Sequence, residues 1–532
     1  MLFLLCIIMR KGGTGMEQQT WTGTKVSFER FSPECRRSVW IVFAAVLAST
    51  LAAHGFLFSN EFFSHDSVSY FTYATGSFSF YTGIGRFVIP VYELIKGDVA
   101  APWLIGLLFI LWMTLTALVV THLLKIRSTF GMILTTSLLC TNTALTLTGA
   151  TYFYCMDEYA FALFTAVSAV YLIHRGRWWT VPGVFLLIVS LAVYQAYFTV
   201  AASLCFLIIL QKLAANEPFG KTVRSGIWYL FVLAVGFAAY YGLWSLICQI
   251  SGAAKQRVEE SLLGGSGFDA IINLVYEANI TYVRGLFDGS GVLGWLMPAV
   301  HCMLVAALGW RLMQRLMNKH LRIGNKILLL ILTCLIPTAF NSASILLAGS
   351  ATQLMTFAGE LIYVLLIVSY EPSEEHPVSV PLRSVATVLL CCVLWQHIVY
   401  ANQVYMKKEL DQTATISLAT RMIDRVELLE GYIPGETPVA FVGRLDRNTY
   451  LNCGRDEFIE LDKTVGLWSD YSATYNLGRY LTDYMNYPLL WDTETDFSQM
   501  EEVKAMPVFP AADSIRMIEG TVVVKLSRAF AE

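Results

Sequence analysis

Long apolar runs dominate the chain. Stretches able to span about 30 Å of hydrocarbon lie at 39–58, 102–123, 130–150, 158–174, 226–249, 292–310, 327–346, 350–370 and 383–403. The run from Thr180 to Leu213 has 34 residues, too long for one spanning helix and short for two. Basic residues in the loops decide its reading, because they mark the cytoplasmic side. Lys25, Arg30, Arg36 and Arg37 place the N-terminal segment, 1–38, in the cytoplasm. Broken near Tyr194-Gln195-Ala196-Tyr197 and counted as a pair, the long run leaves Lys125/Arg127, Arg175/Arg177, Lys221/Arg224 and the basic stretch Arg311 to Lys326 inside. Counted as one span, it would put that most basic loop outside. The pattern therefore predicts eleven spans, with the N-terminus in and the C-terminus out.

Beyond residue 403 the periodicity changes. Residues 413–430 repeat as an amphipathic helix, 438–443 (PVAFVG) and 521–526 (TVVVKL) read as strands, and 472–486 reads as another helix. A small α/β or α+β unit is expected there. FVG alone lacks the glycine-rich turn of a dinucleotide site. Composition sharpens the division. Charged residues are 14% of the chain and hydrophobic ones 56%, against about 25% charged in soluble proteins. Residues 404–532 carry 21 acids and 13 bases, whereas the other 403 residues carry 19 acids and 24 bases. The fold class is thus an α-helical polytopic membrane protein, with a transmembrane domain at 39–403, a long first outer loop at 59–101 and an extracytoplasmic soluble domain at 404–532. A net charge of −3 gives no reason to expect nucleic-acid binding. The eleven cysteines fit no disulfide or zinc framework, although Cys155 and Cys453 fall on the same side. The codons of Arg10 to Met16 (RKGGTGM) can contain AAAGGAGGT before an ATG, a bacterial ribosome-binding pattern. Met16 is the expected start and 1–15 an expected translated leader.

The spans are nearly bare of ionisable groups. His54, His301 and His397 are isolated and read as packing residues, while Glu360 is the one acid well inside a span and a candidate substrate contact. Polar groups gather at the outer ends instead. Span 1 is followed by Asn60-Glu61-Phe62-Phe63-Ser64-His65-Asp66-Ser67, then Tyr70, Tyr73 and Gly83-Ile84-Gly85-Arg86-Phe87. Span 3 is followed by Thr151-Tyr152-Phe153-Tyr154-Cys155-Met156-Asp157-Glu158-Tyr159. Both clusters lie at headgroup depth on one side, where a lipid-linked substrate presents its phosphate. Transfer from such a donor to a hydroxyl needs a carboxylate to take the acceptor proton and a cation for the departing phosphate. Asp157 and Glu158 have an alternative reading as a cap on the positive end of span 4.

These motifs resemble the bacterial glucosyl transferase family of the O-antigen-modifying type (Gtr, type II). The features that carry the resemblance are Asp66 after span 1, the downstream Gly-x-Gly-Arg-Phe, the Met-Asp-Glu-Tyr-Ala opening span 4, and the Tyr194-Gln195-Ala196-Tyr197 break. It covers the layout of residues 35–400. It implies a GT-C-like membrane enzyme of the bacterial inner membrane that takes sugar from a polyprenyl-phosphate carrier at the outer face. Asp66 matches the acid expected to be the catalytic base, and Arg86 matches the Gly-Arg position, where we infer phosphate contact. Asp157 and Glu158 match the acids expected to orient acceptor or sugar. The wider class often has two adjacent acids in the first loop; here the neighbour of Asp66 is His65, which leaves open whether Asp66 works alone or with Glu61. Tyr70, Tyr194 and Gln195 complete the expected substrate contacts. No metal-ligand set or DxD motif stands out, and no cofactor is expected.

The expectation is a glycosyltransferase moving a hexose, glucose by the resemblance, from a polyprenyl-phosphate-linked donor to a surface glycan acceptor. A transporter or flippase for lipid-linked glycan is the alternative, but it should line its spans with cations. A non-catalytic envelope scaffold would make the outer acids dispensable.

Overall fold

The computed structural model describes residues 33–62, 78–97, 100–176, 178–255, 268–289, 293–347, 349, 351–372, 379–443 and 477–527. Among the described residues, eight helical segments are long and apolar enough to cross a membrane: Pro33–Ser59, Pro102–Leu123, Thr129–Thr151, Phe153–Arg175, Gln195–Ala214, Phe219–Ser251, Leu296–Met317 and Val380–Glu427. Shorter apolar helices at Thr180–Leu191, Ile323–Cys334 and Phe357–Ser369 occupy the remaining three runs. Every apolar run read from the sequence therefore carries helix, eight of them at spanning length.

In chain order the first helices are α1 (Pro33–Ser59), α2 (Phe78–Gly83), α3 (Ile89–Lys96), α4 (Pro102–Leu123), α5 (Thr129–Cys140), α6 (Thr143–Thr151) and α7 (Met156–Arg175). Next come α8 (Thr180–Leu191), α9 (Phe198–Ala214), α10 (Phe219–Ser251), α11 (Phe268–Leu286) and α12 (Leu296–Met317). The last of the helical body are α13 (Ile323–Cys334), α14 (Ile336–Phe340), α15 (Ser342–Leu346), α16 (Leu361–Ser369) and α17 (Val380–Glu427). Helix α7 is the most enclosed of the long segments and packs on α4, α8 and α9. Its small residues Ala160, Ala162, Ala166, Ser168 and Ala169 are all buried, which lets neighbouring backbones approach closely. Gly183 of α8 shows how tight the fit is, since a Cβ there would meet Ile173 and the Ala169 carbonyl oxygen.

Several runs predicted as single spans are interrupted, each at an identifiable residue. The 130–150 run breaks at Asn142, whose side chain accepts a hydrogen bond from Ala144 N at 2.9 Å and so caps α6. The 327–346 run breaks before Pro337, at the start of α14, where proline cannot serve as an interior helical donor. Helix α11 packs against the pieces this creates, with Thr338 Oγ1 donating to Asn279 Oδ1 at 3.0 Å and Asn341 Nδ2 to Ala278 O at 2.8 Å. The long run 180–213 breaks where expected. Helix α8 ends at Leu191, Tyr194 is extended, and a short 3-10 turn at Gln195–Tyr197 leads into α9.

His54 is a satisfied core histidine, with Nδ1 2.7 Å from Tyr405 Oη and Nε2 2.9 Å from Cys140 O. Tyr405 belongs to α17, a 48-residue helix without interruption. Its first half packs in the membrane body; its second half contributes Leu418, Ala419, Met422 and Val426 to a separate core. That core covers one face of a four-stranded sheet made of β1 (Pro438–Val442), β2 (Leu490–Trp491), β3 (Ile515–Ile518) and β4 (Thr521–Lys525). The order is β2-β1-β4-β3, with β1 parallel to both β2 and β4, and β3 antiparallel to β4. Phe497, Val503 and Met506 cover the other face. Central β4 is buried at all five positions, as its valine run demands. Lys525 is buried yet satisfied, because its ammonium donates to the carbonyls of Val503, Lys504 and Met506 at 2.7–2.9 Å. It thereby caps α18 (Glu501–Ala505).

Candidate active site

Helix α3 has the reverse arrangement of a soluble surface helix. Val91, Leu94 and Ile95 are exposed, whereas Ile89, Tyr92, Glu93 and Lys96 are buried. An apolar outer face suits the boundary between headgroups and acyl chains, and it leaves the charged residues facing the protein. Lys96 meets three acceptors there. Its Nζ donates to Glu158 Oε1 at 2.7 Å, Tyr154 O at 2.8 Å and Asp157 Oδ1 at 3.4 Å. The three charged side chains are no more than 1% exposed. Burial alone would lower the lysine pKa, but Glu158 and then Asp157 outweigh it and hold the ammonium above its ordinary value. Asp157 and Glu158 do stand in the first turn of α7, but no side chain caps that terminus. Lys96, not the helix end, is their main partner. Each keeps a second oxygen, Asp157 Oδ2 and Glu158 Oε2, outside the ion pair. The Tyr92 hydroxyl, which accepts from Trp112 Nε1 at 2.8 Å, lies beside Asp157.

Arg86 reaches the same end of α7 by a different route. Its Nη1 donates to Tyr159 Oη at 2.7 Å. Its guanidinium lies 5.6 Å and 5.4 Å from the ring centroids of Tyr159 and Tyr194, which stack on each other at 4.0 Å. Contacts of this kind contribute about 0.5–2 kcal/mol each. Arg86 Nε is buried without a hydrogen-bond partner, and no carboxylate among the described residues pairs with the group. Gly85 sets the approach. Its φ is +81°, and a Cβ there would collide with the Tyr240 hydroxyl. The hydroxyl donates to Gly85 O at 3.0 Å, Gln195 Nε2 donates to Ile84 O at 3.0 Å, and Trp244 Nε1 donates to Thr82 O at 2.7 Å. The 194–197 break and α10 together grip the Gly-Arg turn.

A cation with no carboxylate partner among the described residues, an acid pair buried in the first turn of the same helix that supplies its Tyr159 contact, and a cradle of tyrosines now stand at one end of a helical body. The profile of the glucosyl transferase GtrII family matches residues 55–369, more than half of the chain. The chain belongs to this glucosyl transferase family. No curated protein and no solved structure matches it. The matched region of the transferase contains Arg86, Lys96, Asp157, Glu158, Tyr194, Gln195 and Glu360, and it ends before the sheet unit.

Of the residues singled out in the sequence, some lie outside the described residues of the transferase and others have different partners. Asp66, His65 and Tyr70 lie outside the described residues, as does Cys453; Cys155 is buried. Glu61 is exposed just beyond the end of α1, close enough to Tyr484 of the sheet unit for its charge to act on that phenol. Glu360 is committed elsewhere. Its Oε1 accepts from Thr143 N at 2.9 Å and Thr143 Oγ1 at 2.5 Å, while Oε2 stands 3.7 Å from His397 Nδ1. It holds the start of α6 across the broken helix. Lys96 and Tyr240 escaped sequence reasoning. For Lys96 a signal existed, since Glu93 and Lys96 are charged residues one helical turn apart in an interfacial segment otherwise almost without charge. Tyr240 gave none, being one ring among many in an apolar helix. Among the described residues no group of three His, Cys, Asp or Glu is placed to hold a metal ion.

Chemically, the arrangement separates two positive charges by task. Lys96 neutralises the buried acids, whereas Arg86 is held by tyrosines and keeps Nε without a hydrogen-bond partner among the described residues.

Proposed function

We propose that the protein transfers a hexose, glucose by family membership, from a polyprenyl-phosphate donor to a surface polysaccharide at the outer face of the bacterial inner membrane. The observation that carries this reading is Arg86, a guanidinium oriented by Tyr159 and Tyr194 with no carboxylate partner among the described residues. Such a group suits the phosphate of a lipid-linked sugar. The reaction is a single inverting displacement. An acceptor hydroxyl oxygen bonds to the anomeric carbon as the carbon–oxygen bond to phosphate breaks. The bonding pair goes to the phosphate oxygen, against Arg86, and the hydroxyl proton goes to Asp66. Asp157 Oδ2 and Glu158 Oε2, the oxygens Lys96 leaves over, orient sugar hydroxyls. Gln195 and Tyr194 line the approach. The sheet unit is extracytoplasmic in this topology.

The test is sugar transfer by purified full-length protein supplied with a synthetic polyprenyl-phosphate glucose and a polysaccharide acceptor. The Asp66→Asn variant should lose about 10²–10⁴-fold in rate, as expected for a missing general base. Arg86→Lys keeps the charge but loses the planar fork, and should lower kcat more than it raises KM. Wild-type rates in Asp66→Asn and Arg86→Lys would sink the assignment. Movement of the lipid-linked sugar across the bilayer without transfer would replace it with the flippase reading.

A further inference from the structure

The other end of the helical body holds a second charged site. From Asp157 to His174, α7 rises about 25 Å, and His174 lines a cavity of about 720 Å³. The cavity sits among the C-terminal ends of α4, α9 and α12. Lys125, Arg127, Lys212, Arg311 and Arg315 line it, against two acids, Glu217 and Glu371. Glu371 is already occupied, accepting from Arg127 N at 2.7 Å, Ser128 N at 2.5 Å and Ser128 Oγ at 2.8 Å. Glu217 lies 3.9 Å from Lys212 in a partly exposed pair. Positive charge is therefore in excess within a cavity that also has an apolar wall, including Ile208, Leu312 and Leu365.

Arg311 is the anchor. It is 6% exposed. Its Nε donates to Ser369 O at 3.0 Å, Nη1 donates to Gln314 Oε1 at 2.6 Å, and the guanidinium lies 5.4 Å from the Tyr370 ring centroid. Nη2 is buried and has no hydrogen-bond partner among the described residues. No carboxylate pairs with the group among those residues. An arginine held so firmly, with one donor left over and hydrocarbon walls nearby, matches a ligand that has a phosphate at one end and an apolar chain at the other.

We propose that this cavity binds a phosphate-headed amphiphile, its phosphate on Arg311 with Lys212 and Arg315 around it, and its chain along the leucine and isoleucine wall. In the topology given by the basic loops, the ligand comes from the inner leaflet. The site is remote from the proposed transfer chemistry and stands or falls independently of it.

Purified full-length protein would be titrated with phosphatidic acid, phosphatidylcholine and inorganic phosphate, with binding read by native mass spectrometry and by the shift in melting temperature. Phosphatidic acid should form a discrete one-to-one adduct and raise the melting temperature. Arg311→Gln should weaken it about tenfold or more, the loss expected for a hydrogen bond to a charged group. Arg315→Gln and Lys212→Gln, which alter less enclosed positions, should each weaken it by a smaller factor, and they serve if Arg311→Gln does not fold. Equal binding of phosphatidic acid and phosphatidylcholine would overturn the proposal. So would unchanged affinity in the folded variants, or full displacement of phosphatidic acid by millimolar inorganic phosphate.

Discussion

Replacing Lys96 with methionine would leave Asp157 and Glu158 adjacent, buried and without their shared cation. Breaking a buried pair from one side costs about 3–5 kcal/mol, because the remaining charge is desolvated without compensation. Lys96→Met should therefore melt far below the wild type. Adding Asp157→Asn and Glu158→Gln should restore most of the loss, and a thermal melt of the purified set checks both statements. Additive losses across the series would mean that Lys96 stabilises the fold through something other than these acids. Asp157, Glu158 and Arg86 were legible in the sequence because charge is rare where they stand. What they do to one another was not. The commitment of the acids to Lys96 depends on α3 turning its charged residues inward, a choice made by the lipid-facing apolar positions Val91, Leu94 and Ile95. Glu360 likewise read as a lone intramembrane acid, yet it is the partner of Thr143 across a helix break, a contact between residues more than two hundred positions apart.

At the scale of elements, the Gly85 turn is where the first loop is fastened to α10. A non-glycine residue at positive φ costs about 1–3 kcal/mol, and at Gly85 it would also displace the Tyr240 hydroxyl. Gly85→Ala should therefore lower transfer sharply by moving Arg86, with a smaller effect on melting. Gly85→Ala with Tyr240→Phe, which removes the obstructing hydroxyl, should recover part of the activity. Wild-type kinetics for Gly85→Ala alone would show that the turn does not position Arg86. The break at Tyr194-Gln195-Ala196-Tyr197 was readable in advance because loop charge and run length together demanded it. The interruptions at Asn142 and Pro337 were not read, since uniform hydrophobicity masks them in any pattern that counts only apolar residues. The strands at 438–443 and 521–526 were visible as short β-branched runs, whereas β2, two residues long, and β3 carry too little pattern to stand out.

For the molecule as a whole, α17 joins the membrane body to the sheet unit without a hinge. Its 48 residues extend about 72 Å. Its buried apolar positions fall in two sets, Ala386 to Tyr405 against the body and Leu418 to Val426 against the sheet core, with mostly half-buried positions from Glu409 to Ala414 between them. One residue inserted between Leu410 and Asp411 would turn everything beyond it by about 100° and advance it by 1.5 Å. Seven would return it to within about 20° of its phase while raising it by about 10 Å. Cysteines placed at Glu61 and Tyr484, which are close enough for the Glu61 charge to act on the Tyr484 phenol, report the difference. A short cross-linker should join them in the parent and fail after one insertion, while a reagent about 10 Å longer should restore the link after seven but not after one. Equal cross-linking in all three would mean that the helix bends or that the sheet unit swings freely. If the helix is stiff, the number of residues between its two buried sets is constrained more tightly than their identity. Substitutions at exposed positions there, Leu410 and Thr413, are tolerated, whereas insertions and deletions are admissible only in steps close to whole helical turns.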